Sequence, residues 1–184
     1  MPKKAFVFLA DGFEEVEAIT PIDYLRRAGI EVITVSISKE KIVFGAHQIP
    51  VVADSLIFDI HTDEADCLVL PGGIPGAPNL AASQELDLII RDYNARGRVI
   101  AAICAAPAVV LAPKGLLQGR NFTCYPGLEK EVKNSEWKND KVVIDNHIIT
   151  SRGPGTAAYF AFAIIEKLID KEAAQKIKDA VISV

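Results

Sequence analysis

The sequence predicts an α/β domain with a mostly parallel sheet and helices covering both faces. Three observations carry this. Short apolar runs alternate with helical patterns along the whole chain. Those runs lack the period-two alternation of a strand with one wet face, so both of their faces must be covered. And 184 residues, half hydrophobic and 24 % charged, suit one well-cored domain and are short for two. No repeat, linker or low-complexity tract interrupts residues 1–184, which are read as a single domain.

In order, Ala5–Leu9 reads as a first strand and Phe13–Ala28 as a helix stopped by Gly29. Ile30–Ser36 is a second strand, and Ile42–Phe44 with Ile49–Val52 forms a hairpin around Gly45. Cys67–Leu70 is a short buried strand ending in Pro71-Gly72-Gly73, and Gln84–Arg96 is an amphipathic helix stopped by Gly97. Val99–Ile103 is another buried strand, followed by a sharp turn at Cys104 and a helix whose first turn tolerates Pro107. Beyond Gly115 come a strand near Phe122–Thr123, a short helix near Leu128–Lys133, and a hairpin of Val142–Asp145 and Ile148–Thr150. Two helices close the chain, an apolar one over Thr156–Ile169 and an amphipathic one over Lys171–Ile182.

Composition narrows function by exclusion. A net charge of −4, a pI near 5.4 and the lack of a basic stripe interleaved with aromatics argue against a nucleic-acid partner. Met1-Pro-Lys-Lys and the six apolar residues after it are too short and too soon interrupted by Asp11-Gly12 to be a signal peptide. The other apolar stretches contain Pro107 or are too short to span a bilayer, so a cytoplasmic protein without a membrane partner is expected. Cys67, Cys104 and Cys124 are odd in number and far apart, which fits reduced thiols. With three scattered histidines the chain offers no zinc motif, and no metal or cofactor is expected.

In a parallel α/β sheet the ligand crevice lies beyond the carboxyl ends of the strands. Three unusual turns of this chain fall there, Ala10-Asp11-Gly12, Pro71-Gly72-Gly73-Ile74-Pro75-Gly76 and Cys104-Ala105-Ala106-Pro107, and a fourth glycine-rich turn, Ser151-Arg152-Gly153-Pro154-Gly155-Thr156, follows the later hairpin. A cysteine at a strand-to-helix turn projects its sulfur from the sheet edge over free backbone N–H groups, and a helix dipole there favours thiolate. A free cysteine is also a small hydrophobe that is often simply buried, and the stretch around Cys104 alone supports both readings equally.

Glu17 tips the balance. A helical wheel places it among Phe13, Ala18, Pro21, Ile22, Tyr24, Leu25 and Ala28 on the buried arc, with Glu15, Asp23, Arg26 and Arg27 opposite. A carboxylate on a core stripe is costly unless paired or protonated, which marks it as a functional candidate. Helix and turn can meet at one crevice, where Glu17 could donate a hydrogen bond to the Cys104 sulfur or take a proton from thiol or substrate. Gly72 and Gly73, with the N–H of Ala105, could stabilise an oxyanion. Val16 and Ile19 fall on the outward arc beside Asp23 and Arg27, which reads as a surface for a second copy of the chain.

Five motifs in order give the chain a resemblance to the ThiJ/PfpI superfamily over essentially its whole length. It is most similar to the small single-domain branch that includes the parkinsonism-associated deglycase and redox chaperone and its bacterial relatives. The motifs are Ala10–Glu17, Arg26–Ile30, Val69–Gly73, Ile100–Pro107 and Thr150–Thr156. The resemblance implies a flavodoxin-like sandwich, usually a homodimer, with Cys104 as the reactive nucleophile-elbow cysteine, oxidisable to a sulfinate, and Glu17 as its hydrogen-bonding partner. It implies Gly72, Gly73 and Ala105 as backbone donors, and activities that include cofactor-free conversion of methylglyoxal to lactate and repair of glycated adducts. Oxidative-stress sensing and chaperone action are implied as the alternative.

The chain also departs from the family pattern. Ala105 stands where protease-like branches carry a histidine, Tyr125 where close relatives often carry a histidine near the cysteine, and His47 where a family arginine helps bind anions. Arg27 matches the other family arginine. Arg27, His47, Tyr125 and Pro154 are therefore the candidates for anion or substrate binding, and a cysteine protease is the least favoured activity.

Overall fold

The computed structural model describes residues 2–183. Seven strands form the central sheet: β1 (Lys4–Leu9), β2 (Glu31–Ser36), β5 (Ser55–Leu56), β6 (Cys67–Leu70), β7 (Val99–Ile103), β10 (Val142–Asp145) and β11 (Ile148–Ser151). Their order is β10-β11-β7-β6-β1-β2-β5, and every neighbouring pair is parallel except the β10–β11 hairpin. Ala5–Leu9, β6 and β7 are buried throughout, which is why they read as continuous apolar runs. The predicted α/β sandwich with a mostly parallel sheet is what the chain forms.

From β1 the chain moves outward one way to β2, and later the other way from β6 to β7. With right-handed crossovers this puts the connecting helices on opposite faces. On one side α1 (Glu15–Arg27) packs on α4 (Ala157–Leu168), which also carries α5 (Lys171–Ala180). On the other, α2 (Gly76–Ala82), α3 (Gln84–Ala95) and the segment after Cys104 lie together. The reversal occurs between β1 and β6, so the crevice expected of a doubly wound sheet opens at their carboxyl ends.

The predicted hairpin is present as β3 (Ile42–Phe44) against β4 (Pro50–Val52), antiparallel, with Ile42 opposite Val52. It lies over the start of α1: the Gly12 N–H donates to the Phe44 carbonyl at 2.7 Å, and the Ala46 N–H to the Phe13 carbonyl at 2.8 Å. Two further short strands, β8 (Asn121–Phe122) and β9 (Glu136–Trp137), pair parallel outside the main sheet.

Three sequence expectations are corrected. α1 begins at Glu15, not Phe13, because residues 10–14 are used in the turn, where the Phe13 N–H donates to the Ala10 carbonyl. α2 has no counterpart in the sequence reading: its Gly76-Ala-Pro-Asn-Leu segment shows no apolar period, and a proline in the first turn removes no helical hydrogen bond. After Cys104 there is no regular helix. A π-helical segment, Pro107–Leu111, runs into a single 3₁₀ turn, Ala112–Lys114, ended by Gly115 at φ +78°.

Candidate active site

Glu17 sits in the first turn of α1 and faces inward, as the wheel requires; it is completely buried. Its Oε2 accepts the Gly72 N–H at 2.9 Å. Its Oε1 is buried without a conventional partner. The other group in hydrogen-bonding reach of the carboxyl is the Cys104 thiol, a weak and loosely directed donor. Burial pushes the Glu17 carboxyl up to about 7 against the pull of Cys104 and the Gly72 N–H, and the nearby Glu14 charge adds to the rise.

Cys104 occupies the left-handed region at φ +65°, a conformation that costs a β-carbon-bearing residue energy and persists only where the surroundings hold it. Its N–H donates to the Ser151 carbonyl at 2.9 Å, and its carbonyl accepts the Tyr125 N–H at 2.8 Å. The β-carbon lies against Gly72, where an added methyl would come within 2.6 Å of Cys104 Cβ and 2.7 Å of Glu17 Oε2. Only glycine fits there. The residue retains 9 % of its exposure, while Cys67 and Cys124 have none.

The backbone N–H groups of Gly73 and Ala105 lie close enough to the sulfur to favour its charged form. Burial pushes the thiol up, the adjacent Glu17 carboxylate pushes it further, and the two N–H groups pull back without prevailing. The expected pull of a helix dipole towards thiolate is outweighed here, because the following segment is a short π-helical run and the neighbouring group is an acid. Two acids this close hold one negative charge far more easily than two. A thiolate forms readily only when Glu17 carries the proton.

The structure brings Cys104, Glu17, Gly72, Gly73 and Ala105 together at the carboxyl ends of β6 and β7. Gly72 has a role different from the expected one: its N–H is engaged by Glu17 and is not available to an oxyanion. Those of Gly73 and Ala105 lie near the sulfur.

Tyr125 borders the site with its ring half exposed. A methyl placed on Gly153 would meet the ring at 3.4 Å and Glu17 Oε1 at 4.0 Å, so Gly153 closes the wall between them. Pro154 follows it on the exposed 3₁₀ turn Pro154–Thr156. Ser151 and Gly153 are contributors the sequence reading did not single out. Gly153 lay inside the fourth glycine-rich turn, a usable signal, whereas a backbone carbonyl such as that of Ser151 leaves none.

Arg27 does not reach this site in its own chain. It lies ten residues beyond Glu17, about 15 Å along the helix, and its Nε donates to Asp23 Oδ2 at 2.7 Å. His47 is also placed differently from the anion-binding reading. Its Nδ1 is 2.8 Å from Glu15 Oε2 and 3.8 Å from Glu14 Oε1, and an anion there would face two carboxylates. Glu15 itself, expected on the outward arc, is buried because the β3–β4 hairpin folds over it. Burial would raise the Glu15 carboxyl, but hydrogen bonds from the His47 ring and from backbone N–H groups outweigh it and hold the carboxyl low. That same hydrogen bond, then the Glu14 and Glu15 charges, raises His47. Val16 and Ile19 are exposed, as expected.

The family model described as DJ-1/PfpI matches residues 3–167. The chain belongs to the DJ-1/PfpI family. It is 40 % identical over 179 residues to the protein dj-1beta of Drosophila melanogaster, covering 96 % of this chain and 95 % of that one. It is 39 % identical over 176 residues to the DJ-1 homolog B of Arabidopsis thaliana, covering 95 % of this chain but only 40 % of the longer plant protein. A Pyrococcus abyssi protein named a deglycase is 34 % identical over 155 residues, 83 % of this chain and 91 % of that one. Among solved structures, Toxoplasma gondii DJ-1 in an oxidised form superposes with a TM-score of 0.95 at 40 % identity, covering 98 % of both chains. The ThiJ/PfpI resemblance and the fold it implied are thus established. Among the described residues no helix is long and apolar enough to cross a membrane.

Proposed function

We propose that this DJ-1/PfpI chain is a cysteine-dependent stress-protection enzyme of the glyoxalase or deglycase type, acting on methylglyoxal or glycated adducts without a cofactor. One observation carries the reading: a buried carboxyl with its ionisation pushed to about 7 lies against the thiol of a residue strained into the left-handed region. An acid–base group works best when its ionisation lies near the working pH. The deglycase name of the Pyrococcus relative supports the same class.

In this mechanism the Glu17 carboxylate takes the Cys104 proton. The thiolate forms a C–S bond to the aldehyde carbon of methylglyoxal, and Glu17 returns the proton to the resulting oxygen, giving a hemithioacetal. Glu17, again a carboxylate, removes the proton on the former aldehyde carbon. The electron pair passes into an enediol as the ketone oxygen takes a proton from water. Glu17 then delivers its proton to the neighbouring carbon as the first hydroxyl gives its own back to the hydroxide so formed, leaving a lactoyl thioester on Cys104. Water cleaves the C–S bond, releasing lactate and the thiol. The Gly73 and Ala105 N–H groups stabilise the sulfur whenever it carries charge.

A cysteine protease is disfavoured: Ala105 follows Cys104, His47 is held by Glu15, and His147 Nε2 lies 2.9 Å from Asn94 Oδ1. The outward face of α1, with Val16 and Ile19 flanked by Asp23 and Arg27, is proposed as the surface for a second copy of the chain. The deciding assay is enantiomer-resolved lactate formation from methylglyoxal by the purified protein. Activity is expected in the parent and absent from C104A; a C104A protein as active as the parent would overturn the reading.

A second reading has its own observation. Cys104 alone among the three cysteines has any exposure, so it is the one an oxidant can reach, as a redox sensor or redox-regulated chaperone without turnover would require.

A further inference from the structure

His47, Glu14 and Glu15 come together outside the thiol site, at the point where the β3–β4 hairpin closes over the start of α1. One ligand atom from each lies within 4.8 Å of the other two. This is not a solvated acidic face: the side chains of Glu15 and Glu14 keep 8 % and 17 % of their exposure, while His47 keeps 68 % and forms the outer lid. Among the described residues the ion-pair partner of both carboxylates is His47 alone, with no lysine or arginine to balance them. Two mostly buried carboxylates share one imidazole, a donor set in which a divalent cation can take the place of the ring proton.

The set is also oriented. Glu15 Oε1 accepts the His47 backbone N–H at 2.7 Å, which leaves Oε2 turned towards the ring. Gly45 makes room for this carboxylate, since a methyl there would lie 2.1 Å from Glu15 Oε1. An outer hydrogen bond that fixes a ligating carboxylate is what a metal site needs. Nitrogen and oxygen ligands about 2.05 Å from a tetrahedral zinc ion stand about 3.3 Å apart. The distances from His47 Nδ1 to Glu15 Oε2, 2.8 Å, and to Glu14 Oε1, 3.8 Å, bracket that value.

We propose that His47 Nδ1, Glu15 Oε2 and Glu14 Oε1 form a site for a divalent cation of the zinc class, with its remaining position open to solvent. The mixed one-nitrogen, two-oxygen set at near-tetrahedral spacing suits zinc better than calcium or magnesium. The site does not depend on the thiol chemistry and reverses the sign of the ligand that His47 was expected to attract.

The test is a Zn²⁺ titration of the whole chain against a chromophoric chelator at about pH 7.5. It is run in a C104A background so that the thiol cannot compete for the metal. The expected result is one zinc per chain in C104A, weakened at least about tenfold in C104A/H47A and in C104A/E14Q. The His47 ring partners the buried Glu15, so the thermal melt of H47A shows whether the fold is kept, and E14Q, which leaves that pair in place, is the second arm. Nitrogen-resolved NMR of the His47 ring should show Nδ1 shifting on zinc addition and Nε2 keeping its proton. Zinc binding that is lost in C104A, or that survives H47A unchanged, overturns the proposal.

Discussion

Replacing Glu17 by glutamine keeps an oxygen for the Gly72 N–H but removes the group that titrates in the core. The consequence for stability has a definite sign. Glu17 has a folded-state value of about 7 against an ordinary 4.5, so between these values the folded chain holds a proton that the unfolded chain has released. Its contribution is fully present below about pH 4.5, is lost as pH rises, and is gone above about pH 7. At 1.36 kcal/mol per unit the complete change is about 3.4 kcal/mol, of which about 2.5 kcal/mol falls between pH 5 and pH 8. Glutamine carries no such dependence. The stability of E17Q relative to the parent should therefore rise by about 2.5 kcal/mol from pH 5 to pH 8, or on the order of 5–10 °C in melting temperature for a chain of this size. Urea unfolding of both proteins at the two pH values measures it, and any pH-independent effect of the substitution cancels in the difference. An E17Q stability that, measured relative to the parent, stays constant or falls as pH rises would show that Glu17 is ionised at ordinary acidity in the folded chain, and the proton-sharing account of the site would fail.

Two further outcomes follow from the same geometry. G72A places a methyl 2.6 Å from Cys104 Cβ and 2.7 Å from Glu17 Oε2; overpacking of this kind costs about 1–3 kcal/mol, while misplacing the reacting pair lowers turnover on the order of 100-fold. Melting temperature and lactate production should separate these, and a G72A protein with parental turnover would show that the close approach is irrelevant to activity. Under mild peroxide, intact and peptide mass spectrometry should find two added oxygens at Cys104 before any change at Cys67 or Cys124, whose side chains have no exposure through which an oxidant could reach them. Equal oxidation of the three would remove the redox reading.

The sheet was legible because its central strands are apolar on both faces, a pattern that antiparallel, half-wet strands do not give. Glu17 was legible for a related reason: one charge on an otherwise apolar arc stands out. Glu15 was not. A helical wheel sees only its own helix and assigns outside to any residue opposite the core, whereas the β3–β4 hairpin, distant in sequence, covers that face and buries Glu15 beside His47. The scattered spacing of the histidines hid that meeting for the same reason. α2 escaped because its packing rests on small residues with no period. The role of Gly72 was half legible: two glycines after a strand announce a close approach, but which N–H is engaged and by what depends on Glu17 arriving from another element.

The left-handed backbone of Cys104 means that the fold and its chemistry place opposite demands on one position. Selection for folding alone would put glycine or asparagine there, since either adopts that conformation at lower cost. A β-branched residue would be worse still. The retained cysteine is a residue without which the chain would be easier to fold, held in place by the Ser151 and Tyr125 hydrogen bonds on either side of it. Drift towards greater stability at this turn would therefore remove the sulfur before it disturbed the sheet.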